Sequence, residues 1–159
     1  MSSHIDVLLE VIDRAYDRVS WHGTNLKGSI RGLPPEAAVR RPARGRHNIA
    51  EVVAHCAYWK YAVWRRLTGA TRGSFPLEGS NWFVREAPLT RAAWEADRRL
   101  LERMHRQLRE AVAATSASRL HRRSRGLKTT PFDLIAGIAA HDLYHAGQIQ
   151  LIKRGQRSI

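Results

Sequence analysis

The residues best equipped for chemistry are His141 and His145, in the run His-Asp-Leu-Tyr-His towards the end of a 159-residue chain. On a helix, a spacing of four stacks two side chains on one face, with Cβ atoms about 6 Å apart. Leu134, Ile138, His141, His145, Gln148 and Ile152 follow steps of three and four, so both imidazoles interrupt a stripe expected to face the core. A polar group there is costly unless something satisfies it. A divalent metal ion would do so; hydrogen bonds to tyrosine, glutamine or water are the alternative. His55 stands beside Val52 and Trp59, on the flank of an earlier apolar stripe, where it can converge with the pair from a neighbouring helix. Three neutral imidazoles suit zinc, nickel, iron or copper, and they leave a position open, as in catalytic rather than structural zinc sites. The pair departs from the zincin motif, since Asp142 and not glutamate follows the first histidine.

Four amphipathic helices must position these groups. The first is expected from about Ser3 to Trp21, with Ile5, Leu8, Leu9, Ile12, Tyr16 and Val19 inward. A loop-rich stretch from Gly23 to Arg46 follows, with a short turn at Leu33-Pro34-Pro35-Glu36, long enough to cross over a bundle. The second helix begins after Asn48, a cap to which Glu51 bonds back, and stops at Gly69. Ala70 to Leu89 reads as a loop. Thr90 caps a third helix reaching about Ala114. Thr130, Pro131 and Asp133 open the fourth, which Gly155 ends. No segment alternates with period two, and no repeat recurs. The expectation is an all-α chain: one domain over 1–159, a four-helix bundle with a long crossover connection between the first and second helices.

Composition narrows the partners. The formal net charge is +13, concentrated around Arg40-Arg41, Arg44, Arg46 and around Arg119, Arg122, Arg123, Arg125. Such a balance attracts anions: nucleic acid, phosphorylated or carboxylated small molecules, or a membrane surface. No aromatic residues interleave with either cluster as stacking on single strands would require, so nucleic acid is not favoured. The start carries Asp6 and Glu10 and lacks the pattern of a secretory signal, and no apolar run reaches the length of a membrane span. Cys56 is the only cysteine, which excludes an intrachain disulfide. A cytoplasmic protein with no membrane partner is expected.

Three stretches together resemble the DinB/YfiT-like superfamily of small four-helix-bundle proteins. They are Leu33 to Pro42, then Asn48 to Trp59 with His55 inside it, and then His141-Asp-Leu-Tyr-His145-Ala-Gly147-Gln148-Ile-Gln. The resemblance extends over nearly the whole chain in order and spacing. It implies a divalent metal, zinc or nickel, on His55, His141 and His145. It also implies homodimers, and metal-dependent enzymes that use low-molecular-weight thiols. His47 departs from the pattern, standing where the family has tryptophan. That change is expected to remove aromatic packing and alter the site entrance, while Asn48 preserves the cap.

The neighbours carry two readings each. Gln148 is a candidate to hold a metal-bound water or substrate, or a hydrogen-bonded core amide. Glu51 is a candidate to orient His55, with capping the simpler role. Asp142 reads as solvated or structural, and Tyr144 as a donor to a bound oxygen or a partly buried ring. Cys56 reads as a small buried hydrophobe. His4, His22, His105 and His121 are expected to face solvent, and Trp59, Trp64, Trp82 and Trp94 to lie in the core or a dimer contact. The function expected is transfer of a low-molecular-weight thiol to an anionic or electrophilic small molecule, with Arg44 or Arg46 attracting carboxylates. The alternatives are a metal-dependent hydrolase in which Glu51 or Gln148 positions water, a basic nucleic-acid-binding module, and a stress-response dimer whose metal only stabilises the fold.

Overall fold

The computed structural model describes residues 3–123, 126 and 128–157. Those residues form six α-helices, α1 (His4–Tyr16), α2 (Leu26–Ser29), α3 (Pro35–Val39), α4 (Ile49–Thr68), α5 (Arg91–Ala113) and α6 (Pro131–Arg157), with a 3₁₀ turn at Ala117–Arg119. No strand occurs among the described residues. The four long helices close a ring in which α1 packs on α5 and α6, and α4 packs on the same two. The first and second long helices are therefore diagonal neighbours. The connection between them must cross the bundle, and it carries α2 onto α6 and α3 onto α4.

Local chemistry sets the boundaries. Asn48 Oδ1 accepts from Glu51 N (2.9 Å) while a Glu51 carboxylate oxygen accepts from Asn48 N (3.3 Å), the expected reciprocal cap. Gly69 ends α4 in the left-handed region at φ 76°, where a Cβ is unfavourable. Thr130 and Asp133 exchange the same pair of bonds at the start of α6. Two ends differ from expectation. Gly155 lies inside α6, which runs on to Arg157. α1 stops at Tyr16, not Trp21, because nothing lies beyond it to bury: Val19 is 97% exposed and Trp21 94%. Asn25 ties off that end, donating to Arg18 O (2.9 Å) and accepting from Gly28 N (2.8 Å) at the start of α2.

The core is two apolar clusters with a polar layer between them. One gathers Leu26, Ile30, Ile49, Val53, Trp94, Leu101 and Ile149. The other gathers Leu8, Ile12, Val63, Leu67, Leu108, Val112, Ile135 and Ile138. Each long helix places a buried polar residue near the junction of the clusters, Asp13 on α1, Lys60 on α4, His105 on α5 and Asp142 on α6, with Tyr16 of the first cluster beside them. The Lys60 ammonium donates to Asp142 Oδ2 and to His105 Nδ1 (3.3 Å), and sits over the Tyr16 ring at 4.8 Å. Tyr16 in turn stacks on His105 at 3.8 Å. One ammonium thus touches all three other helices. A buried charge left without its partner is costly, so this layer favours one alignment of the four helices over slipped ones.

The structural reading of Asp142 holds and the solvated one does not, and the surface placement of His105 is corrected. Asp142 is 1% exposed and lies at the centre of the buried face of α6, between Ile138 and Ile149, with the histidines at its edge. Burial pushes its carboxyl up, against Lys60, which pulls it down. His105 is 4% exposed rather than at the surface. Burial first, then Lys60, Arg109 and Lys27, lower its imidazole to about 2, so it stays neutral.

Candidate metal centre

α4 and α6 lie against each other, and their packing brings His55, His141 and His145 together. His141 Nε2 is 3.1 Å from His55 Nε2 and 3.2 Å from His145 Nε2. Two nitrogens bound tetrahedrally to one zinc at about 2.0–2.1 Å stand about 3.3 Å apart, so the three nitrogens fit a shared ion.

The outer nitrogens explain why the inner ones are bare. His55 Nδ1 donates to the main-chain oxygen of Asn81 (2.8 Å), and His145 Nδ1 donates to Gln148 Oε1 (2.7 Å). Gln148 is held in that orientation because its Nε2 donates to Tyr144 Oη (3.0 Å). Both acceptors require N–H at Nδ1, which fixes the tautomer with a lone pair at Nε2. His141 Nδ1 is buried with no hydrogen-bond partner. Without a cation, His141 Nε2 faces the bare lone pairs of both His55 and His145 and, carrying at most one proton, can serve only one of them well. A cation would remove that conflict, and a neutral nitrogen-only donor set of this kind suits zinc, nickel, iron or copper.

All three rings are neutral near pH 7. Burial, then His145, His55 and Lys60, lower His141 to about 3. Burial and then His55 lower His145 to about 4, against the Gln148 bond, which raises it. Burial also lowers His55; the Asn81 bond raises it and His47 lowers it. A second grouping, Cys56, His141 and Asp142, shares one of these histidines. Burial pushes the Cys56 thiol well up, so it remains the protonated small hydrophobe expected.

The loop between α4 and α5 supplies what the helices do not. Trp82 stacks on His55 (3.9 Å, 12°) and on its other face against His47 (3.6 Å, 5°). His47 therefore gains aromatic packing, contrary to the expectation that it loses it, and Trp82 is a wall of the site. Asn81 also accepts at Oδ1 from Trp59 Nε1 (2.9 Å), so one residue holds both His55 and Trp59. Its φ of 69° is left-handed, a conformation asparagine tolerates better than most residues. Gly79-Ser80-Asn81-Trp82 marks a turn in the sequence, but nothing there says which helix it covers.

Glu51 does not reach His55. It accepts from Arg41 Nη1 and Nη2, from His47 Nδ1 (3.0 Å), and from the main-chain nitrogens of Asn48 and Arg85. Burial raises its carboxyl, but these bonds outweigh that and hold it below the usual carboxylate range. It is a cap and a brace for the segment before α4. Tyr144 is 63% exposed. His4, His22 and His121 are exposed as expected, and Trp94 is core, donating to Leu33 O (2.8 Å).

Fold and site together define an all-helical bundle with a three-imidazole centre shared by two of its long helices. A family model described as the DinB superfamily matches residues 18–149, most of the chain and all three histidines, and the chain belongs to that superfamily. Comparison with curated proteins and with solved structures gave no significant match. No helix among the described residues is long and apolar enough to cross a membrane.

Proposed function

We propose that the chain is a metal-dependent enzyme that transfers a low-molecular-weight thiol to an electrophilic small molecule, with His55, His141 and His145 holding one divalent ion, zinc or nickel. The observation that carries this reading is the convergence of three neutral Nε2 atoms, two of them on rings whose outer nitrogens are already committed, at His55 and His145. Such an ion, held by three protein ligands, would supply an open position and the acidification of a thiol or a water placed there. Asn81 and Gln148 keep His55 and His145 in the ligating tautomer. Trp59 and Trp82 wall the cluster and limit water around it. Cys56 is sealed and protonated, so the attacking sulfur comes from a cosubstrate and not from the chain.

Transfer is favoured over hydrolysis for a specific reason. Hydrolysis asks Glu51 or Gln148 to position a water. The Glu51 oxygens are taken by Arg41, His47 and main-chain donors, and Gln148 Oε1 by His145. Gln148 is then a positioning residue for His145, and Glu51 a structural one.

The test is metal content by mass spectrometry on untagged protein purified without chelator, beside His141→Ala. It is paired with conjugation of 1-chloro-2,4-dinitrobenzene in the presence of different small thiols. About one equivalent of metal is expected in the parent and none in the variant. Product is expected only with both metal and a thiol. No bound metal after incubation with zinc or nickel overturns the reading; metal without thiol-dependent product leaves a metal-stabilised bundle.

A further inference from the structure

A cleft of about 460 Å³ opens beside the histidine cluster, between the second half of α4 and the loop that follows it. Its volume falls within the range of about 300–1,000 Å³ usual for small-ligand sites. Trp59 belongs to both places: it lines the cleft, and its ring centroid is 6.3 Å from those of His55 and His141.

The lining combines flat apolar walls with cations. Tyr58 and Phe75 meet edge to face at 5.4 Å, and Arg65, Arg66 and Arg72 surround them, with Glu78 the one carboxylate. None of the three arginines forms an ion pair with any described acidic group. Arg65 and Arg66 sit in the last turn of α4, where arginines commonly satisfy free carbonyls. Here that work is done by others. Gly69 N donates to Arg65 O, Thr68 Oγ1 to Trp64 O, and Arg119 Nη2 to Leu67 O. The guanidiniums are left facing the cleft, that of Arg66 lying 5.8 Å over the Trp59 ring.

We infer that this cleft is the subsite for a flat organic carboxylate, its charged end on Arg65, Arg66 and Arg72 and its planar body against Tyr58, Trp59 and Phe75. An inorganic anion would leave the aromatic walls unused, and a neutral ring would leave the arginines unused. Guanidinium forks match carboxylate geometry and also stack on aromatic faces. Arg44 and Arg46, the sequence candidates for attracting carboxylates, lie on the exposed segment before α4 and do not line the cleft. That this anion is the electrophile or the thiol of the reaction rests on the proposed function; that the cleft binds it does not. Asn81 links the two places, since it holds Trp59 through its side chain and His55 through its main chain.

The experiment is a ¹H–¹⁵N titration of metal-free and zinc-treated protein with 1-naphthoate. 1-Naphthylmethylamine, the same ring with a cationic group, serves as the control. Saturable shifts are expected at the Trp59 indole N–H and at the Arg65, Arg66 and Arg72 side chains, with naphthoate alone. Arg65→Ala/Arg66→Ala/Arg72→Ala should weaken binding about tenfold or more. Arg72→Glu, on the exposed loop, should weaken it without touching α4, and Arg122→Ala should leave it unchanged. Equal binding of the amine, indifference to the arginine variants, or no saturable shift overturns the inference. Zinc retained without naphthoate binding removes the subsite and leaves the proposed function standing. Naphthoate bound by a chain that holds no metal supports the subsite and removes the function.

Discussion

Lys60 and Asp142 are each 1% exposed and face each other across the core. Breaking such a pair from one side leaves a bare charge in the interior, so Lys60→Met should cost about 3–5 kcal/mol. Adding Asp142→Asn removes the stranded carboxylate and should restore much of that loss. Urea denaturation of the metal-free single and double variants measures it. A double variant no more stable than the single would mean that Lys60 acts by packing alone. Residues of this kind are legible in the sequence when the stripe is traced correctly. Ile135, Ile138, Asp142, Ala146 and Ile149 step by three and four, as do Val53, Cys56, Lys60, Val63 and Leu67 around the α4 core. The histidine-centred stripe competes with the first of these one position away, and periodicity alone does not choose between them. The three candidate ligands were legible because imidazoles on apolar faces stand out; the partners that fix their tautomers were not, apart from Gln148, one turn from His145.

At the scale of elements, the helices and their caps follow from local signals, and the segment from Ala70 to Leu89 does not. It contributes Asn81, Trp82 and Phe75 to the site and its cleft, through contacts 20 or so positions away in the chain that no local pattern encodes. Asn81 offers a direct test of that loop's role. Asn81→Gly and Asn81→Ala both lose the bond from Trp59, but only alanine adds the strain of a left-handed backbone, about 1–2 kcal/mol. If the loop's main-chain carbonyl orients His55, alanine should weaken zinc binding about tenfold, with glycine affected less. Competition against a chelating dye reads this out. Equal affinities in the two variants would show that the Asn81 carbonyl is not what holds the ring.

For the whole molecule, the consequence of three buried histidines and the half-buried His141, all neutral, is a dependence of stability on pH. His105, His141 and His145 fall to about 2, 3 and 4 in the fold, and His55 is lowered as well. Unfolded, each takes a proton near pH 6.5. Between the folded and unfolded values the unfolded chain binds more protons, so stability is full above about pH 6.5 and is lost progressively as pH falls. Each such histidine contributes a slope of about 1.4 kcal/mol per pH unit. Urea midpoints of the metal-free protein should be level above neutrality and drop steeply below it, and His105→Gln should flatten the drop. A profile unchanged down to about pH 5 would contradict the buried neutral assignment. The bundle class was legible from four amphipathic stretches, and the crossover between the first two long helices from the length of the connection. The polar layer that aligns them was not, because its members come from four separate helices.

Chain order gives that layer a timetable. α1, α4 and α5 leave the ribosome before α6, and until α6 arrives Lys60 has no counter-ion and His55 no companions. Within five consecutive residues, 141 to 145, the last helix delivers the missing carboxylate and both remaining imidazoles. Neutralisation of Lys60 and completion of the histidine cluster therefore wait on the same helix. A chain halted before it would leave Lys60 without its carboxylate and His55 without the other two imidazoles.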